Sequence, residues 1–246
     1  MFREWQFRFQ RLKYRLAQSI RQGWYRGVRE PAGRLVWVLW ERELLKDNRI
    51  VGRRMGIANL SEETWIWICP QRISRYIASG DLNRKYFLRG GDWDRRAPSI
   101  DEHERYQLMQ DVWKHRDDLK ASESYGKFIA LIEAGQPKQI PNKNYFLSSE
   151  ERILEFLEAQ LVLFDSLAKH GIRPELAPDE MNVAIGRDGE ILKANAGRKR
   201  VFGAQIIGLP SIPVRVAYVH EDWFNRFREP GVGRGEALSK AILSVQ

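Results

Sequence analysis

One cysteine, Cys69, is all that the 246 residues contain, so no disulfide can close within the chain, as suits a reducing compartment. Histidine is scarce too: the four present stand far apart, none pairs with a cysteine or another histidine at metal-ligand spacing, and a structural zinc site is excluded. No apolar run approaches the roughly 20 residues that a bilayer-spanning helix needs. The opening stretch "MFREWQFRFQRLKYR" is charged throughout and offers no apolar core of a secretory signal. These absences predict a cytoplasmic protein. Internal repeats and low-complexity tracts are missing as well, which argues against solenoids and disordered arrays.

What is present is enough for one sizeable domain: 43% hydrophobic residues for a core and 30% charged residues for a soluble surface. The net charge of +9 is not evenly spread. Residues 1–54 hold 14 Lys and Arg against 5 Asp and Glu, and the remainder holds 27 of each sign. A whole-chain argument for nucleic-acid binding from the basic isoelectric point would therefore mislead.

Phe2, Trp5, Phe9, Leu12, Leu16 and Ile20 recur at helical spacing, with Arg8, Arg11 and Arg15 on another face. The pattern predicts an amphipathic helix ended by Gly23, Gly27 and the Pro31–Gly33 break. Such a helix in residues 1–30 suits packing on the domain behind it, or an anionic membrane surface, a nucleic acid or a partner protein. "RLVWVLWERELLK" (34–46) fits either a buried strand or an amphipathic helix, with Trp37 and Trp40 as core residues. "TWIWICPQRI" predicts a strand from Thr64 to Cys69, stopped by Pro70, with Cys69 a small core residue.

In "LRGGDWDRRAPS", Gly90 and Gly91 allow a sharp turn, and Asp92 and Asp94 flank Trp93 in an expected exposed loop. Two such carboxylates suit Mg²⁺ ligation or general-base work, and equally the capping of a following helix. Residues 101–135 read as charged helix, with Tyr106, Met109, Val112, Trp113 and Arg116 on one face. His103 and His115 read as surface or capping residues. "GQPKQIPNKN" (135–144) reads as a proline-broken connection. Ser148 and Glu151 fit a capping box before Ile153, Leu157, Leu161, Phe164 and Ala168, and Gly171 supplies the stop. "MNVAIGRDGEILKAN" predicts a hairpin turning at Asp188-Gly189. A last strand is expected over 212–219, then a flexible link into a short terminal helix.

The stretch "NAGRKRVFGAQIIGLPSIPVRV" lies between that hairpin and that strand. A short helix from about Arg200 to Ile207, closed by Gly208, would point unpaired N–H groups back at Gly197. Arg198, Lys199 and Arg200 would add cationic donors at the same spot, a chemistry suited to phosphate. A basic turn facing only water fits the spacing equally well.

These residues resemble the second conserved box of the ParB/sulfiredoxin-like superfamily: a G-x-x-R turn, a small pair two residues on, a G-L stop and an [I/V]-P-V strand. "WICPQRI" similarly resembles the family's first strand, and "VAIGRDGEILKANAG" its lead-in hairpin. The resemblance covers about residues 64–89 and 181–219. It implies an α+β fold: a small mixed sheet of ParB/sulfiredoxin type, spanning 56–228, with a helical insertion over about 95–176. A basic helical N-terminal extension (1–55) would precede it and a C-terminal tail (229–246) follow. It further implies a nucleotide held by its phosphates at Gly197, Lys199 and Arg200, with Arg198 at the variable position, and Gly203 with Ala204 letting the helix sit close to the sheet.

The reactive cysteine of sulfiredoxins has no counterpart, because Arg198 and Lys199 fill that region. The E-N-x-x-R motif of partition proteins is replaced by "YVHEDWFNRF". The expectation is nucleotide-dependent phosphoryl transfer or hydrolysis by an ATP-, ADP- or CTP-dependent kinase or NTPase. Its cofactors would be Mg²⁺ and a nucleoside di- or triphosphate, with Asp92 and Asp94 as metal ligands or base, and His220 as acid/base or substrate contact. The alternatives are a DNA-associated ParB-like module without catalysis and an adaptor held at a membrane surface by residues 1–30.

Overall fold

Three buried strands late in the chain build the centre of the molecule. The computed structural model describes residues 30–78, 85–140, 145–173 and 180–246. Among these the chain is α+β, with a mixed six-stranded sheet and eight α-helices. In chain order come α1 (Glu30–Glu41), α2 (Arg53–Leu60), β1 (Trp65–Ile68), β2 (Arg75–Tyr76) and β3 (Leu88–Arg89). An insertion follows: α3 (Glu104–Lys114), α4 (Glu123–Glu133), β4 (Lys138–Ile140), β5 (Tyr145–Leu147) and α5 (Glu150–His170). Then come β6 (Asn182–Ile185), β7 (Ile191–Lys193), α6 (Arg198–Ile206), β8 (Ile212–His220), α7 (Glu221–Asn225) and α8 (Arg234–Leu243).

The spine is β8, buried at eight of its nine positions because partners flank it on both edges. β1 pairs antiparallel with its first half, from Ile68 opposite Ile212 to Trp65 opposite Arg215. β3 pairs parallel with its end, Arg89 opposite His220. Along its other edge runs β6, in parallel. The hairpin partner β7 extends the sheet and carries β2 on its outer edge. Val183 faces Val216 but Ala184 faces Tyr218, so Ala217 is the extra residue of a β-bulge.

The pleat sorts side chains to two faces. Val183, Ile185, Ile191, Val214 and Val216 join the main core with Met109, Phe164, Val201 and Phe202 from the helices. Ala184, Leu192, Ala194, Ala217 and Tyr218 form a second cluster closed by Ile77, Trp93 and Ala97. The insertion has its own apolar cluster, Val112, Leu147, Ile153 and Leu157, with Phe128 and Phe156 packed against it. Asp111 of α3 ties the insertion together by accepting from the N–H groups of Glu123 and Ser124 at the start of α4.

Several local expectations change. Residues 34–41 are helical, within α1, and so are Pro31, Ala32 and Gly33, so the expected break is part of a helix. Trp37 and Trp40 are core residues, as expected, and Trp40 stacks on Phe224 at 5.9 Å. The first strand ends at Ile68, and Cys69 is exposed, not in the core; its Sγ lies 3.0 Å from Gln71 Oε1. The "GQPKQIPNKN" connection contains β4, which pairs with β5. Ser149, not Ser148, caps α5, accepting from the Arg152 N–H. Gly203 packs against α5, where a Cβ would meet Leu167 Cδ1 at 2.7 Å, rather than against the sheet.

Candidate functional site

α6 begins at Arg198, directly after two residues with left-handed backbone, Ala196 (φ 58°) and Gly197 (φ 69°). Gly197 is required twice over. Its φ disfavours any side chain, and a Cβ there would lie 2.8 Å from Met181 Cα. The nine-residue helix puts Arg198, Lys199 and Arg200 in its first turn, with Lys199 exposed and the two arginines half-buried. First-turn N–H groups have no partners inside their own helix and carry its positive end. Three cationic side chains thus gather at that end of α6.

Behind the turn lies a residue that sequence reasoning passed over. Lys193, the last residue of β7, is fully buried. Its Nζ donates into four backbone carbonyls, those of Asn182 (2.6 Å), Ala194 (3.0 Å), Asn195 (3.3 Å) and Ala196 (2.6 Å). In a strand of alternating pattern a lysine reads as a solvent-facing position, and only the turn that folds back over it makes it internal. Close by, the Oδ1 atoms of Asn182 and Asn195 are buried and have no hydrogen-bond partner among the described residues.

His103 was expected to be a capping or surface histidine, and it caps α3, its Nδ1 accepting from the Arg105 N–H at 3.1 Å. Its ring also packs between Tyr76 (4.7 Å) and Phe202 (5.2 Å), and Tyr76 stands beside Lys193 in the β2–β7 register. Burial lowers its pKa below the ordinary 6.5, and the Arg198 and Arg105 charges lower it further. The sequence signal was the position just before a helix, which identified the cap and not the neighbourhood. Gln205 of α6 joins the two quoted halves of the motif by donating from Nε2 to the carbonyls of Pro70 and Ile73, both at 2.8 Å.

Asp92, Asp94 and His220 gather at the opposite end of the β6–β7 hairpin. Arg187 lies five residue steps of near-extended chain beyond Asn182, roughly 16 Å at strand rise. The loop expected to be exposed is half internal: Trp93 and Asp94 are buried, and Asp92 is exposed. Asp94 accepts from Arg187 three times, from the backbone N–H (3.0 Å), from Nε (2.8 Å) and from Nη2 (2.8 Å). The same Nη2 reaches Asp92 Oδ1 and the Gly91 carbonyl, both at 2.8 Å. Burial alone would raise the Asp94 pKa, but the Arg187 hydrogen bonds outweigh it and hold the carboxyl well below the usual range. Arg75 adds a bond to the Asp94 carbonyl and an ion pair with Glu190.

His220 is equally committed. Its Nδ1 accepts from the Asp222 N–H at 3.1 Å, capping α7, and its Nε2 donates to the Gly91 carbonyl at 2.9 Å. Those partners assign the proton to Nε2. Asp94 Oδ1 is 3.9 Å from that nitrogen, and the ring packs on Trp93. The three residues expected to be catalytic are thus brought together with one another, around Arg187, and kept apart from Gly197–Arg200. With the oxygens of Asp94 turned to a guanidinium, this pair does not fit Mg²⁺. Among the described residues no group of three or more His, Cys, Asp or Glu is placed to hold a metal ion.

The amphipathic helix expected over residues 1–30 lies, up to residue 29, outside the described residues. Among the described residues no helix is long and apolar enough to cross a membrane. No protein-family model, no curated protein and no solved structure matches the chain.

Proposed function

We propose that the chain binds the phosphate groups of a nucleotide at Gly197, Arg198, Lys199 and Arg200. The observation that carries this reading is the opening of α6 on a left-handed Ala196–Gly197 turn with all three cations in its first turn. Cationic side chains gathered with the first-turn N–H groups at one helix end are a chemistry suited to phosphate. Gly197 supplies the left-handed turn that opens the helix and packs closely on Met181. The resemblance of "GRKRVFGAQIIGLPSIPV" to the ParB/sulfiredoxin-like box supports the same reading.

Any phosphoryl transfer or hydrolysis at this turn would use Arg198, Lys199 and Arg200 to stabilise charge on the transferring group. His103, whose ring packs on Phe202 of α6, would be a candidate to carry a proton, since Asp92, Asp94 and His220 stand at the other end of the hairpin. No step is assigned to Mg²⁺ through Asp92 and Asp94, whose oxygens serve Arg187.

Melting curves with ATP, ADP, CTP, GTP and orthophosphate, each with and without Mg²⁺, test the reading. A ligand at 100 times its Kd stabilises the fold by about 2.7 kcal/mol, which for a chain of this size raises Tm by roughly 5–10 °C. The expected result is such a rise with at least one nucleotide, lost in Arg200→Ala. No rise with any of them overturns the reading.

A further inference from the structure

We propose that Lys193 is a positioning residue whose tethered ammonium does the work of a bound monovalent cation, shaping the Ala194–Gly197 turn into an anion receptor. The proposal rests on the phosphate reading above for the identity of the anion, and on Lys193 alone for the cage.

The geometry assigns the role. Four carbonyl oxygens at 2.6–3.3 Å surround one Nζ that carries only three protons, so the contact is an electrostatic cage more than a set of paired bonds. Three of the oxygens belong to consecutive residues, Ala194, Asn195 and Ala196. In a planar trans peptide the N–H points opposite to the C=O. Drawing the first two of those carbonyls toward Nζ therefore turns the N–H groups of Asn195 and Ala196 to the far side of the turn. Successive N–H groups presented in that way form an anion-binding concavity. Here it runs straight into the first turn of α6.

The left-handed backbone at Ala196 fits this account, because a residue with a Cβ pays to be there. Something must over-determine the conformation. Convergence of the carbonyls on a full positive charge does so, and the fourth carbonyl, that of Asn182, ties the turn to β6. Backbone carbonyls are also the ligands with which proteins replace the hydration shell of K⁺. A cage built for an ammonium should therefore accept K⁺ or NH₄⁺ once the lysine stem is cut away.

The test uses the full chain without nucleotide. Lys193→Ala is melted in KCl, NH₄Cl, LiCl and N-methylglucamine chloride at equal ionic strength. The expected result is a higher Tm in K⁺ or NH₄⁺ than in Li⁺ or N-methylglucamine, with no ion preference in the unsubstituted protein. Equal melting in all four salts, or no folding in any of them, overturns the proposal. Lys193→Met keeps the stem and drops the charge, so it should fold without ion preference. Amides 195–200 in that variant should exchange at least about tenfold faster while those of β6 and β8 hold, as expected for a local opening. Unchanged exchange there counts against the cage. Both readouts stand apart from nucleotide: if the unsubstituted protein binds none, the phosphate reading fails and the cage is still decided.

Discussion

His103 sits where a ring, a helix cap and two guanidinium charges meet, and its protonation reports on all three. Its pKa is lowered, so the unfolded chain, with a value near 6.5, takes up the proton first as pH falls. Stability from neutral His103 is therefore present above pH 6.5 and declines below it, down through the lower folded value. An anion at the α6 turn would offset the Arg198 charge and move the midpoint back up. By reciprocity, anion affinity would then rise as pH falls through that range. The check is an imidazole NMR titration of His103 with and without sulfate, which has no ionisation of its own there, at matched ionic strength. An unchanged midpoint would place the anion elsewhere. That His103 caps α3 was legible in its place before "ERYQLM"; its stacking between Tyr76 and Phe202 was not, because those residues lie on β2 and α6.

At the scale of elements, the β6–β7 turn and the Gly90–Ala97 loop are one unit, stapled by Arg187. Removing Arg187 would leave the Asp94 carboxylate buried and uncompensated, a loss of about 3–5 kcal/mol. Arg187→Ala should accordingly lower Tm by roughly 10 °C. Arg187→Met with Asp94→Asn should recover part of that loss, since the second change removes the stranded charge. Chemical denaturation of the single and double variants measures the coupling. The pair also sets acid behaviour. With the folded Asp94 pKa below the ordinary 3.8, its contribution is intact above about pH 4 and is lost as pH falls below that toward the folded value. Arg187→Met/Asp94→Asn should therefore show a flatter stability profile below pH 4 than the unsubstituted protein.

For the whole molecule, the core begins before the first strand. α1 supplies Trp37 and Trp40, and Trp40 lies between the Phe224 ring and the Arg234 guanidinium at 5.4 Å. Its indole N–H donates to Asn48 Oδ1. Arg234 begins α8, whose Ala237, Leu238, Ala241 and Ile242 are all buried. The helix near the start of the described chain and the helix at its end thus close one core with the sheet. Trp40→Ala should cost about 3–5 kcal/mol, a large share of the ~5–15 kcal/mol typical of a domain. Urea denaturation should show it in a single transition, with α8 unfolding together with the sheet. Two transitions would mean that α1 and α8 are a separate unit.

By itself the sequence determined the elements whose cause is local. The β6–β7 hairpin follows from Asp188-Gly189, α5 from its serine cap and Gly171, α6 from Gly197 and Gly208, and β8 from its run of β-branched residues. Each depends on periodicity and on backbone freedom at one or two positions, both written in a short window. Only the tertiary structure decided the rest. It turned Lys193 inward, because the chain after β7 folds back and offers it four carbonyls. It gave Asp94 to Arg187, 93 positions away, and sent that cluster to the far end of the hairpin from Gly197–Arg200. Charge pairing and burial depend on which distant segments meet, and a strongly polar loop such as "GGDWD" reads as solvated until its partner is known.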